Sequence, residues 1–168
     1  MKKMFVAGVF AAFVLVACDK ENNNELNSTD DMFITQVNIG NKAEIMAGQL
    51  AVTKGNSAEV RAYGQLMVNE HNLAQTDLQN VASSVGRTLR DTVDPEHQAL
   101  MARLNTLTGR SFDTAYMNSQ VRDHQKTLNI FQMEITDGNH RSVRDYANRY
   151  MPHIQMHYLK ADSIARRL

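Results

Sequence analysis

Between Phe33 and Leu168 the side chains that read as buried recur every three or four residues, in five blocks. That spacing lines one face of an α-helix, whereas a strand would alternate every second residue. The chain holds two Pro and eight Gly in 168 residues, too few breakers for a fold of many short strands. The first stripe runs Phe33, Val37, Gly40, Glu44, Ala47 and Ala51, and Gly55 stops it. Asn56 is the expected cap of the second helix, with Glu59 three residues on as a capping box. The second stripe is Val60, Tyr63, Met67, His71, Ala74, Leu78, Val81 and Val85, ending at Gly86.

Arg87 to Asp94 is polar and without period. Asp94-Pro95-Glu96-His97 then reads as a helix start: an Asp cap, Pro at the first helical position and an acid in the first turn. The short helix that follows carries Leu100, Leu104 and Leu107 and stops at Gly109. Ser111 is the expected cap of the next, whose stripe is Phe112, Tyr116, Gln120, His124, Thr127, Phe131 and Ile135. After a turn at Gly138 and Asn139, the last stripe is Val143, Tyr146, Tyr150, Ile154, His157, Ala161, Ile164 and Leu168. A helix of about 27 residues is about 40 Å long, and the roughly 24 residues between the two helix pairs can run most of that length. The expected fold is all-α, a ferritin-like four-helix bundle with a long crossover carrying an extra short helix. An up-down-up-down bundle with a decorated loop fits the same stripes.

The N-terminus reads as a targeting segment. Lys2 and Lys3 precede an apolar run, Met4 to Val16, that is too short to span a bilayer. It ends in Leu15-Val16-Ala17-Cys18, which resembles the lipobox of bacterial lipoproteins. That pattern implies a signal peptide over residues 1–17 and lipid on Cys18. Residues 18–31 hold one Leu and no aromatic residue, the composition of a flexible tether; residues 32–168 make the bundle domain. Asp19, Lys20 and Glu21 resemble a surface-export signal. The expected location is the bacterial cell envelope, lipid-anchored in the outer membrane and facing periplasm or surface. The membrane is then one partner, through Cys18, and a protein partner or a second copy is another. Nucleic acid is not expected: 18 basic and 18 acidic residues give a net charge of +0, with no basic face or tail. Cys18 is the only Cys, so no internal disulfide forms.

Four residues of metal-ligand type fall on the apolar stripes near mid-helix: Glu44, His71, His124 and His157. Buried without partners, each would cost several kcal/mol in order of magnitude. Four at one depth are either partners for one another or ligands. Imidazoles with a carboxylate suit Zn, Cu, Fe or Mn, and bundle cores house such sites. His153, one turn before His157, is a further candidate ligand. The competing reading is a polar layer that closes on itself and sets helix register. Glu70 and Asp123 directly precede His71 and His124, but adjacent helical residues point about 100° apart, so they read first as solvated flanks. Carboxylate-bridged di-iron bundles use Glu-x-x-His; here Val68, Val121 and Ile154 stand three before His71, His124 and His157, which argues for one ion rather than two.

Four segments together resemble the domain of unknown function 4142 family. They are Ala43 to Val52, Val60 to Leu78, Thr108 to Leu128 and Tyr150 to Ala161. The Met-x-x-acid-His run is met by Met67, Glu70 and His71. The Gly-x-x-Phe-Asp-x-x-Tyr-Met run is met by Gly109, Phe112, Asp113, Tyr116 and Met117. Asp123 with His124, and Pro152 with His157, complete the likeness; Met151 stands where the family usually has Leu. The resemblance implies a bacterial envelope protein with a ferritin-like helical fold, and it implies no activity. Three functions stay open: a metal-binding lipoprotein, a structural or interaction module with a polar core layer, and a metal-dependent redox enzyme.

Overall fold

A computed structural model describes residues 24–168; Cys18, the segment before it and the first part of the tether lie outside the described residues. Five helices carry the chain: α1 (Ser28–Lys54), α2 (Ala58–Ser84), α3 (Pro95–Thr106), α4 (Gly109–Asp137) and α5 (Arg141–Ala165). There is no strand among the described residues, and no described helix is long and apolar enough to cross a membrane.

The four long helices form a square in which α1 packs on α2 and α4, and α5 packs on α4 and α2. Every neighbour is antiparallel. Asn41 meets His71 and Asn38 meets Gln75 across α1 and α2. The side chain of Asn27 donates to Asp137 O, placing the start of α1 beside the end of α4. Asp77 holds Tyr150 while Glu59 holds Arg167, so α2 and α5 also run oppositely. It follows that α2 and α4 run parallel across the diagonal, and the connection between them traverses the bundle's length. That is the ferritin-like order, not the up-down-up-down alternative. The crossover returns over the seam of α1 with α4. Leu104 of α3 is fully buried there, and Lys54 Nζ donates to Leu104 O and Asn105 O.

Three helix starts differ from the expected ones. α1 begins at Ser28, inside the segment read as tether. Asn27 Oδ1 accepts from Asp30 N at 2.9 Å while Asp30 Oδ2 accepts from Asn27 N at 2.7 Å, so this polar run carries its own capping box. α2 is capped by Ser57, whose Oγ accepts from Val60 N, rather than by Asn56. α4 follows Thr108, three residues before the expected cap Ser111, through Gly109 at φ +58°. The choice at α2 is tertiary: buried Asp113 of α4 accepts from Asn56 N and Ser57 N, each at 2.8 Å. Asp113→Ala leaves both donors without their charged acceptor and lowers the unfolding free energy by about 3 kcal/mol. Urea denaturation measures this, and a loss below about 1 kcal/mol would remove the bridging role from Asp113.

Tight contacts hold two places in the frame. A Cβ built on Gly48 would stand 2.8 Å from Gly64 O, and one on Gly64 would stand 2.8 Å from Gly48 O; the backbones of α1 and α2 touch there. At the end where α1 starts, Asp30 is buried and also accepts from Asn139 N and His140 N, at 3.2 and 3.1 Å. Beside it stands Glu134, fully buried. Burial, then the hydrogen bond and charge of Asp30, push the Glu134 carboxyl up to about 8, with Arg144 opposing. Glu134 therefore carries a proton at neutral pH, beside the Asp30 carboxylate whose charge helps to keep it there.

The interior is two apolar cores with a polar layer between. One core gathers Phe33, Leu78, Phe131, Tyr146 and Ile154. The other gathers Tyr63, Met67, Leu104, Phe112, Tyr116 and Ile164. Asn41, Glu44, His71, Gln120, His124 and His157 are buried and lie along the helices between them.

Candidate metal centre

Three helices each supply one histidine to this layer: His71 from α2, His124 from α4 and His157 from α5. Their rings are 5.8 Å (His71–His124), 5.3 Å (His71–His157) and 5.3 Å (His124–His157) apart, centre to centre. The side chains are sealed in, at 4, 2 and 1% exposure.

Each ring is held by one nitrogen. His71 Nδ1 lies 2.9 Å from Asn41 Oδ1, His124 Nδ1 2.9 Å from Gln120 O, and His157 Nε2 3.0 Å from Glu70 Oε2. All three partners are oxygens that only accept, so each of those nitrogens carries the hydrogen. The other nitrogens, His71 Nε2, His124 Nε2 and His157 Nδ1, then expose lone pairs, and no protein group bonds them. One nitrogen from each ring lies within 4.8 Å of those of the other two. An orienting oxygen behind each imidazole is the usual support of a metal ligand.

The rings are also neutral. Burial holds His71 well below the ordinary imidazole range, reinforced by His124 and His157. Burial lowers His124 to about 4. Burial, then His124, lowers His157 to about 4 against the pull of Glu70. At pH 7 the three lone pairs need not lose protons before they bind a cation.

Glu44, the fourth residue expected in the set, stands on the other flank of the His124 ring. Its Oε1 is 3.8 Å from His124 Nδ1, the nitrogen already given to Gln120 O, and its Oε2 accepts from Gln120 Nε2 at 2.8 Å. Burial pushes this carboxyl up to about 7 despite that hydrogen bond. Depth along the helix is right; the side of the ring is not. His153 is half exposed and stays outside the trio, with Nδ1 3.0 Å from Glu70 Oε2. Glu70 is no mere solvated flank. The 100° turn that carries it off the face of His71 aims it across the seam at α5, where it holds both His153 and His157. Asp123 does lie on the flank, paired with Arg122 at 3.0 Å.

Sequence reasoning missed the support from Asn41 and gave Gln120 no role. Asn38 and Asn41 are buried polar residues three apart, just before Glu44. That run of polar residues on one side of α1 was the available signal for Asn41. For the carbonyl of Gln120 there was none.

A cavity of about 270 Å³ lies in the seam of α1 and α4, under the crossover. His71, His124 and Glu44 stand in its wall, as do Gly40, Asp94 and Asp123.

Comparison with known proteins bears on fold and family. A family model described as "Domain of unknown function (DUF4142)" matches residues 17–164. No curated protein matches the chain. Among solved structures, a DUF305 fragment from Deinococcus radiodurans is similar, with a TM-score of 0.75 at 13% identity, covering 86% of this chain and 99% of that one. At that identity the likeness is one of fold.

Proposed function

The chain belongs to the domain of unknown function (DUF4142) family, and we propose that its bundle binds one divalent transition-metal ion on His71, His124 and His157. The observation that carries this reading is the set of three unbonded nitrogens on buried, neutral, individually anchored rings that come together in one cluster. A polar layer closed by its own hydrogen bonds would pair those nitrogens with protein donors, and it does not. Each buried acceptor left unpaired costs about 1–3 kcal/mol; a bound cation takes all three at once. Imidazole without carboxylate favours zinc or copper over manganese. Three protein ligands leave such an ion a further position, where it supplies Lewis acidity or, as copper, electron transfer. Asn41, the Gln120 carbonyl and Glu70 fix the tautomers that present the lone pairs.

We place the protein in the cell envelope, lipidated at Cys18. The support is Leu15-Val16-Ala17-Cys18 behind a short apolar run and two lysines.

Metal content tests the central reading. The purified wild-type domain, loaded with zinc or copper and dialysed, is expected to retain about one ion per chain by elemental analysis. His71→Ala, His124→Ala and His157→Ala are each expected to retain far less. Equal, negligible content in all four proteins would leave the layer as a polar device for helix register.

A further inference from the structure

The three histidines are almost wholly shielded from solvent, so an ion must either be trapped during folding or travel through the folded protein. We infer that a divalent cation reaches them in the folded state through the cavity between α1 and α4, past Gly40. The inference rests on the metal reading above.

Two of the three histidines stand in the wall of that cavity, each with its Nε2 unbonded by protein. Two further surface cavities, beside Arg87 and beside Arg110, have none of the three in their walls. Oxygen donors mark the way inward: Asp94, Glu96 and Asp123 near the surface and Glu44 deeper, all lining the same space. The outer acids are partly balanced. His97 Nδ1 lies 2.7 Å from Asp94, Arg122 pairs with Asp123 at 3.0 Å, and Lys126 pairs with Glu96 at 2.7 Å. Those side chains sit at the mouth, where an arriving cation competes for carboxylates that solvent already reaches.

Gly40 is the strongest sign of a passage. Gly within a helix costs about 1 kcal/mol relative to Ala. Gly48 and Gly64 have a packing reason, because a Cβ on either strikes backbone at 2.8 Å. A Cβ on Gly40 meets nothing within 4 Å, and Gly40 lines the cavity. Neither packing nor turn geometry asks for glycine at this place. What a side chain would occupy is the cavity itself.

A plug in a passage raises the barrier in both directions and leaves the end states alone. Gly40→Leu is therefore expected to slow cobalt(II) association with the metal-free domain at least tenfold, and release to a chelator by the same factor, at unchanged affinity. Stopped-flow absorption of the cobalt–imidazole centre reads both rates. Ile130→Trp, on the opposite wall of the same cavity, is expected to act alike and serves if Gly40→Leu folds poorly. Rates within twofold of wild type in both variants would overturn the passage while leaving the metal site standing. Weaker affinity at an unchanged association rate would also overturn it, since the substitutions would then act on the site. A wild-type domain that takes no cobalt removes the metal reading, and the passage with it.

Discussion

Zinc at about a thousand times its dissociation constant is expected to raise the unfolding free energy of the wild-type domain by about 4 kcal/mol. An ion that binds the folded chain and not the unfolded one acts by mass action. The unfolded chain cannot reproduce this site, because its ligands come from three helices and span His71 to His157. For a domain of this size the thermal midpoint should rise by roughly 10 °C or more. Differential scanning calorimetry with and without the ion measures it. The rise should vanish in His124→Ala and shrink in Glu70→Ala, since loss of an orienting partner typically costs 10–100-fold in affinity. An unaltered midpoint in the wild type at millimolar zinc would exclude a site of useful strength. An equal rise in wild type and His124→Ala would locate zinc elsewhere, for example on exposed His153 and Glu70.

The second large effect is on pH, at the other end of the bundle. Glu134 has a folded-state pKa of about 8 against an ordinary value of 4.5. Between those values the folded chain holds a proton that the unfolded chain has released. Stability from this group is thus complete below about pH 4.5 and is lost as pH rises through 8. The full separation would correspond to about 1.4 kcal/mol per pH unit; relaxation of the helix end on ionisation offsets part of it, leaving on the order of 2–3 kcal/mol across the window. Above pH 8 Glu134 is ionised beside Asp30, and the strain acts on the first turn of α1 and on the turn from α4 to α5. Asn27, Asn139 and His140 donate backbone N–H groups to Asp30 there, and Arg144 is the nearby cation. Glu44 acts in the same direction up to about pH 7, while His124 and His157 act in the opposite direction below pH 6.5. The contrast that isolates Glu134 is with Glu134→Gln, which keeps a donor for Asp30 and cannot ionise. Urea midpoints of the two proteins should converge at pH 5 and separate at pH 8.5, with the variant the more stable. Parallel pH profiles would show that the pair does not share a proton.

The bundle was legible because each helix repeats one physical requirement many times. Every third or fourth residue must be buried, and the seven other positions of the second or the last stripe outvote a single exception such as His71. Helix starts were less legible because several neighbouring residues are competent caps. Asn56 and Ser57 differ little as sequence; Asp113, 56 residues away, decides between them by accepting both N–H groups. The three histidines were legible through shared depth, since similar distances from the turns, within a turn or two of mid-helix, place them in one layer. Depth says nothing of azimuth, and azimuth separates Glu44, on the wrong side of a ring, from Glu70, on the right seam. The hold on His124 is a backbone carbonyl, which no residue name announces.

The touching backbones at Gly48 and Gly64 make α1 and α2 a single stiff leaf. α4 and α5, joined by a short turn, form the facing leaf. The cavity opens along one of the two edges where the leaves meet, that of α1 and α4. His71 belongs to one leaf, and His124 and His157 to the other. An ion held by all three is a clasp across the fold of a book, limiting the same opening by which it enters.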